Sequence, residues 1–352
     1  MVARANTVVV GAVLLAASAL AVALVDQCIT EGFRQQILRA LLMVKPHMVA
    51  MKPGSPPLAE LDEAARKAEQ VAGVQKATPL ALAEAYLESR STRRNAVLYG
   101  MDPGAIEQAT ELSKCLTTGT IECLGATTGD GRPGILLGLG LADELGIGVG
   151  DSVTVTHRRP DASGLTMQVC GTYRSGMYSE DIEGAFVSHP LVARVLGSPE
   201  DKGQLLQIRL HDPRTPPKTE LARVLGTEFK LLDFRELNAN LLSTLRAKEH
   251  LPLSWLSCVP GAMALLVPLA VRYTGRTRSV LGTTVFASVT VGFGLLLTAV
   301  GFVLLSIYPV PLDPKQYMIY SVQVAVPPRA AVGFPVSVWL IVFMGTLWAR
   351  RT

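Results

Sequence analysis

Residues Thr7 to Val25 (TVVVGAVLLAASALAVALV) run for nineteen positions without a charge or a proline. At ~1.5 Å per residue such a helix spans roughly 28 Å, the hydrocarbon thickness of a bilayer. A backbone in lipid must satisfy its own hydrogen bonds, so the run is expected to be a membrane-spanning helix. Arg4 and the amino group precede it and Asp26 follows, which places the amino terminus inside and the residues after Val25 outside. The rival reading is a cleaved signal peptide, whose apolar stretch is usually shorter and ends in a small-residue cleavage site. Here LAVALVDQC leads directly into a helical pattern, and Asp26 and Gln27 stand where a lipoprotein cysteine at Cys28 would need small residues. The anchor reading is preferred.

Hydrophobic residues make up 49% of the chain and charged residues 18%, too apolar for an ordinary soluble domain and too polar for a bare helical bundle. Three further apolar runs follow near the end. Leu251 to Val271 carries Pro252, Pro260 and Pro268 and is expected to be kinked. Thr283 to Ile307 is uninterrupted, and Ala331 to Trp348 is closed by Arg350 and Arg351. Arg272, Arg276 and Arg278 separate the second run from the third, so four crossings leave these arginines and both termini on the cytoplasmic side. The expected class is an α+β membrane protein with one span, an outside domain and three more spans. Its parts are residues 1–25, 26–250 and 251–352, with an outside loop at 308–330.

Within the large insert, Asp26 to Val44 places Ile29, Phe33, Ile37, Leu38 and Leu41 at helical spacing, as a stalk continuing the first span. His47 to Met51 reads as a strand, and Ser55-Pro56 as the cap of a helix with acids early and bases late. Strands are expected at Val74–Pro79, Ala96–Tyr99, Ser152–His157, Leu165–Tyr173, Ala185–Ser188 and Leu205–Leu210, and a helix at Pro190–Leu196. Leu136 to Leu145 reads as a helix ended by Gly146, and Arg159, Pro160, Asp161, Ala162, Ser163 and Gly164 as a hairpin loop. Asp233-Phe-Arg-Glu236 has capping-box spacing and opens a second stalk whose Leu237, Leu241, Leu242 and Leu245 share a face. The two stalk faces either guide a lipid or acyl chain from the bilayer or pack against one another.

Chemistry is hard to find in this chain. GLGLAD at Gly138 lacks the third small residue of a dinucleotide loop, because Asp143 stands there and would repel a pyrophosphate. No P-loop, GxSxG or HExxH motif occurs, so no catalytic site or cofactor is expected. The five cysteines show no CxxC and the histidines no ligand spacing, which argues against a metal. Cys115 and Cys123 are either an external disulfide or two buried thiols. A net charge of +4, with arginines at the ends of apolar runs, indicates topology and not nucleic acid. Arg272, Arg276 and Arg278 are either that topology signal or a contact for an acidic partner.

Several segments, in order, resemble the bacterial lipoprotein-releasing permeases (LolC and LolE) and, more distantly, MacB-type and FtsX-type permeases. They are EGFRQQILRALLMVKPHMVAM, ATPLALAEAYL with VLYGMDP, GILLGLGLADELGIGVGDSVTV, TYRSGMYSEDIEGAFVSHPLVARVLG, and the loop YPVPLDPKQYMIYSVQVAV. The resemblance implies an inner-membrane protein with a periplasmic core of two subdomains, a dimeric permease and a separate cytoplasmic ATPase contacted at Arg272, Arg276 and Arg278. It also implies mechanotransmission, in which ATP-driven closure inside moves the outer domains through the stalks, with a lipoprotein or other amphiphile as cargo. The chain departs from the family in its short RYTGRTRSVLG connection, its proline-rich second span, its brief RPDASG hairpin and the few residues before its first run. These departures suggest a subunit paired with a fuller permease, or one that has lost its ATPase. The alternatives are an FtsX-like scaffold binding an envelope protein and an anchored lipid-binding protein.

Overall fold

The computed structural model describes residues 2–54, 56–90, 92–127, 131–158, 164–198, 203–243, 260, 262–274 and 280–351. The chain divides into two compact units: residues 1–36, 240–312 and 321–352 form one, and residues 37–239 with 313–320 form the other.

One uninterrupted helix, Val2–Val44, runs through the residues read as the first span and the first stalk, its part up to Gln36 in the first unit. Thr7–Val44, Thr284–Ile307 and Pro328–Trp348 are each long and apolar enough to cross a bilayer, whereas Ala262–Arg272 is shorter. Much of the proline-rich second run, 251–259 and 261, lies outside the described residues. The count of four spans therefore becomes three membrane-length helices and one shorter apolar helix among the described residues. Small residues let these helices approach: a Cβ on Gly294 would lie 3.0 Å from Ala17 O, and one on Gly345 2.7 Å from Pro268. Val9, Val13, Ala16 and Leu20 pack with Val267, Ala287, Val338 and Val342, while Leu296, Val303, Leu304 and Ile307 point outward at more than half exposure. An apolar rim around a close-packed centre is what lipid requires.

The second unit is a mixed α/β domain. Its strands are β1 Met48–Met51, β2 Val74–Ser89, β3 Thr92–Met101, β4 Leu116–Gly119, β5 Gly134–Gly138, β6 Ser152–His157, β7 Leu165–Tyr173, β8 Gly184–Ser188, β9 Leu205–Leu210 and β10 Lys230–Asp233. β2 is the shared element. Its first half joins the antiparallel run β10-β1-β9-β2, and its second half joins a closed circuit of pairings, β2-β3-β8-β5-β7-β6-β2. Ala81, Ala83, Ala85 and Leu87 alternate onto one face of β2 and pack with Leu98, Leu137, Val155 and Val169 under the helices Leu139–Leu145 and His189–Leu196. Helices Leu58–Glu69 and Lys218–Leu225 cover the four-stranded run with Leu61, Ala65, Leu221 and Leu225.

Two local expectations change. Leu136 to Gly138 belong to β5, not to the following helix; GILLG is buried at every position between β7 and β8, and a strand covered on both faces needs no alternation. The helix at Leu58 has Pro57 as its N-cap with no side-chain cap, and Ser55 lies outside the described residues. Gly146 does end the helix Leu139–Leu145, at φ 64°, and Asp233 and Glu236 do form a reciprocal capping box.

Candidate functional site

The long helix enters the sheet domain through its last two turns. Ile37, Ala40, Leu41 and Val44 recur at helical spacing and are all at most 5% exposed. A helix end leaves carbonyls unpaired and carries partial negative charge. Here Met43 O accepts the Glu111 N–H at 2.7 Å, and Leu42 O accepts Arg209 Nη1 at 3.4 Å. Arg209 comes from β9 with its side chain 7% exposed, and it pairs with Glu111 at 2.6 Å. A buried guanidinium is tolerated when carboxylate and carbonyls share its donors.

His47 continues this latch onto β1. Its Nδ1 lies 3.1 Å from the Leu210 nitrogen and 3.2 Å from the Leu210 carbonyl oxygen, and in the tautomer protonated at Nε2 it accepts the Leu210 N–H. Burial, reinforced by the Arg209 charge, brings its pKa from 6.5 down to about 4. Lys45, one residue past the helix, pairs with Glu180 at 2.7 Å, and the Tyr99 hydroxyl donates to Glu180 at 2.9 Å. Burial and that carboxylate push the Tyr99 phenol well above its ordinary value. These groups satisfy one another and the main chain. Such an arrangement holds an element in place.

The expected site residues are distributed differently. Ile37 is in the latch; Ile29 and Phe33 are half-buried in the membrane-helix unit. Leu237 is 41% exposed, Leu241 is half-buried, and Leu245 lies outside the described residues. Arg272 ends an apolar helix with its guanidinium 5.2 Å from the Trp348 ring, whereas Arg276 and Arg278 lie outside the described residues. Of the hairpin loop, Arg159, Pro160, Asp161, Ala162 and Ser163 lie outside them too; Gly164 is described, tight against Thr154.

The cysteine pairing is corrected. Cys123 bonds to Cys170, with Cα atoms 6.0 Å apart, while Cys115 is a free buried thiol 3.8 Å from the Met43 sulfur. Cys115 and Cys123 are eight positions apart, but the short helix Leu112–Cys115 turns the first toward the long helix and the turn Ile121–Gly125 turns the second toward β7. The Arg209–Glu111–His47 group escaped sequence reasoning because its members are far apart in the chain. The VKPH segment was the one available signal. Among the described residues no three His, Cys, Asp or Glu side chains are placed to hold a metal. A cavity of about 580 Å³ lies between the starts of the helices Leu58–Glu69 and His189–Leu196, with Asp62, Asp102 and Arg194 among its lining residues.

The family of MacB-like periplasmic core domains matches residues 7–221. The lipoprotein-releasing system transmembrane protein LolC of Xylella fastidiosa, in strains 9a5c and Temecula1, is 27% identical over 228 residues, covering 63% of this chain and 54% of LolC. The chain thus spans about half the length of the curated relatives it matches. The periplasmic region of MacB from Actinobacillus actinomycetemcomitans is 10% identical with a TM-score of 0.38, covering 59% of this chain and 97% of that one. With the family matched over more than half of its residues, the chain belongs to the MacB-like periplasmic core domain family, as a divergent member of the LolC/MacB type.

Proposed function

We propose that the chain is a permease subunit of an ABC-type system of the lipoprotein-releasing class. In this reading it sits in the bacterial inner membrane, its termini cytoplasmic and its sheet domain periplasmic. The observation that carries the proposal is the unbroken helix Val2–Val44, which passes from a bilayer-length apolar segment into a buried latch of the sheet domain. A rigid helix anchored at its far end converts a displacement in the membrane into a displacement of the domain. The names of the LolC relatives support the lipoprotein class. The Cys123–Cys170 bond supports an oxidising compartment for the domain, since disulfides persist outside the cytoplasm.

In this reading ATP hydrolysis belongs to a cytoplasmic ATPase subunit, as the resemblance implies, with Arg272, Arg276 and Arg278 as its proposed contact; residues 1–352 contain no P-loop. A second permease subunit, identical or not, completes the assembly, and the cargo is a lipidated protein or another amphiphile leaving the outer leaflet of the inner membrane. Purification of the tagged chain from its native membrane in mild detergent tests this. Recovery with a P-loop ATPase supports the reading, and replacing the three arginines by alanine should then cut that recovery at least about tenfold. Repeated recovery of the chain alone would contradict it.

A further inference from the structure

Residues 313–320 sit in the loop between the last two apolar helices, yet they belong to the sheet domain. Their base is closed by one short antiparallel strand pair, Val310 with Val322 and Pro311 with Ser321. Asp313 caps the short helix Pro314–Tyr317, and Met318 ends it in the left-handed region at φ 66°. That turn delivers three consecutive residues to one place. Met318 O accepts the Tyr178 N–H at 2.7 Å, Ile319 forms an antiparallel bridge with Met177 and is fully buried, and the Tyr320 ring lies 6.3 Å from Tyr178 and 5.1 Å from the Arg174 guanidinium.

The receiving surface is built for this. Asp181, fully buried, accepts both the Ser175 N–H and the Ser175 hydroxyl at 2.7 Å, which fixes the turn that meets Ile319. The helix Tyr178–Glu183 carries Asp181 and also Glu180, the partner of Lys45. One six-residue helix therefore receives both the end of the long first helix and the loop between the last two. Within the membrane-helix unit the loop is held again: Gln323 N–H donates to Gln36 at 3.0 Å and Ala325 N–H to the Cys28 carbonyl at 3.0 Å.

We propose that residues 313–320 are a clasp, a second mechanical attachment that ties the last two membrane helices to the sheet domain through Tyr178–Glu183. Movement of those helices then reaches the domain through Met318–Tyr320 as well as through the end of the first helix. This rests on the mechanotransmission reading above, but the attachment itself is testable without it.

Hydrogen exchange on the full chain in detergent decides the attachment. In the Ile319→Ala/Tyr320→Ala variant the amides of residues 177–183 should exchange at least about tenfold faster, while those of β1 stay as in the parent. Unchanged protection at 177–183 would overturn the clasp. If that variant does not fold, a Met177→Cys/Ile319→Cys pair replaces it: bridged strand neighbours lie within disulfide reach, so rapid closure under mild oxidant supports the clasp and a pair that stays reduced overturns it. Transmission is read in the ATPase complex, where the alanine variant should keep ATP hydrolysis but lose at least about half of the nucleotide-driven displacement of spin labels on the domain. An undiminished displacement would overturn the mechanical role. Failure to bind any ATPase would overturn the permease reading and leave the exchange result to decide the clasp.

Discussion

Protonating His47 would bury a charged ring and set a second cation beside Arg209, while Nδ1 exchanges the Leu210 N–H for the Leu210 carbonyl. The folded pKa of about 4 lies below the unfolded 6.5, so the folded domain prefers the neutral ring. Its stabilisation is complete above pH 6.5 and is lost as pH falls through the window down to 4, to a limit of roughly 3 kcal/mol. Denaturant unfolding of the protein across that window should show the loss, and His47→Gln should flatten it; an unchanged slope would contradict the assignment. Gly32 is constrained by space: a Cβ there would lie 1.8 Å from the Gln323 carbonyl oxygen. Gly32→Ala should displace the loop and speed exchange at Gln323 and Ala325 by at least about tenfold, whereas Gly11→Ala, with open space around it, should not. Neither constraint was legible in the sequence, because each depends on a partner distant along the chain. The same reason hid the partner of Cys123, for spacing favours the nearer Cys115 and only the fold aims the side chains.

At the scale of elements, periodicity carried most of the reading. Helical structure across 26–44, the strands β6, β7 and β9 and the capping box at Asp233 appear as expected, because each is specified by residues within a few positions. β2 runs ten residues beyond Pro79 because its two halves serve two sheets, and local alternation does not reveal a shared strand. The latch is predicted to act as one element. Arg209→Ala should cost about 2 kcal/mol by removing the charged donor shared by Glu111 and the Leu42 carbonyl, Glu111 keeping Lys114 at 3.4 Å, and adding Glu111→Gln should cost less than its loss on its own. Additive losses in urea unfolding would show that the two residues act separately. The Cys123–Cys170 bond closes a sequence separation of 47 residues, so replacing both by alanine should lower stability by about 4 kcal/mol on the loop-entropy account. Reduction should reproduce that loss in the parent chain and leave the double variant unchanged.

For the whole molecule, composition and charge pattern pointed to an outside domain held by helices at both ends, and the structure supplies a mixed α/β domain and three membrane-length helices among its described residues. Two attachments within that domain, the latch at Leu42–Val44 and the turn at Met318–Tyr320, were not visible in composition. They arise from a handful of polar residues that carry no motif. The account as a whole requires the sheet domain to lie beyond the membrane, with the helix Val2–Val44 crossing on the way. Insertion of alkaline phosphatase, active only outside the cytoplasm, after Gly164 in the full-length chain measures this directly. Strong phosphatase activity, with a fluorescent protein dark at the same position when exported unfolded, is the predicted result; an inactive phosphatase and a bright fluorescent protein there would contradict it.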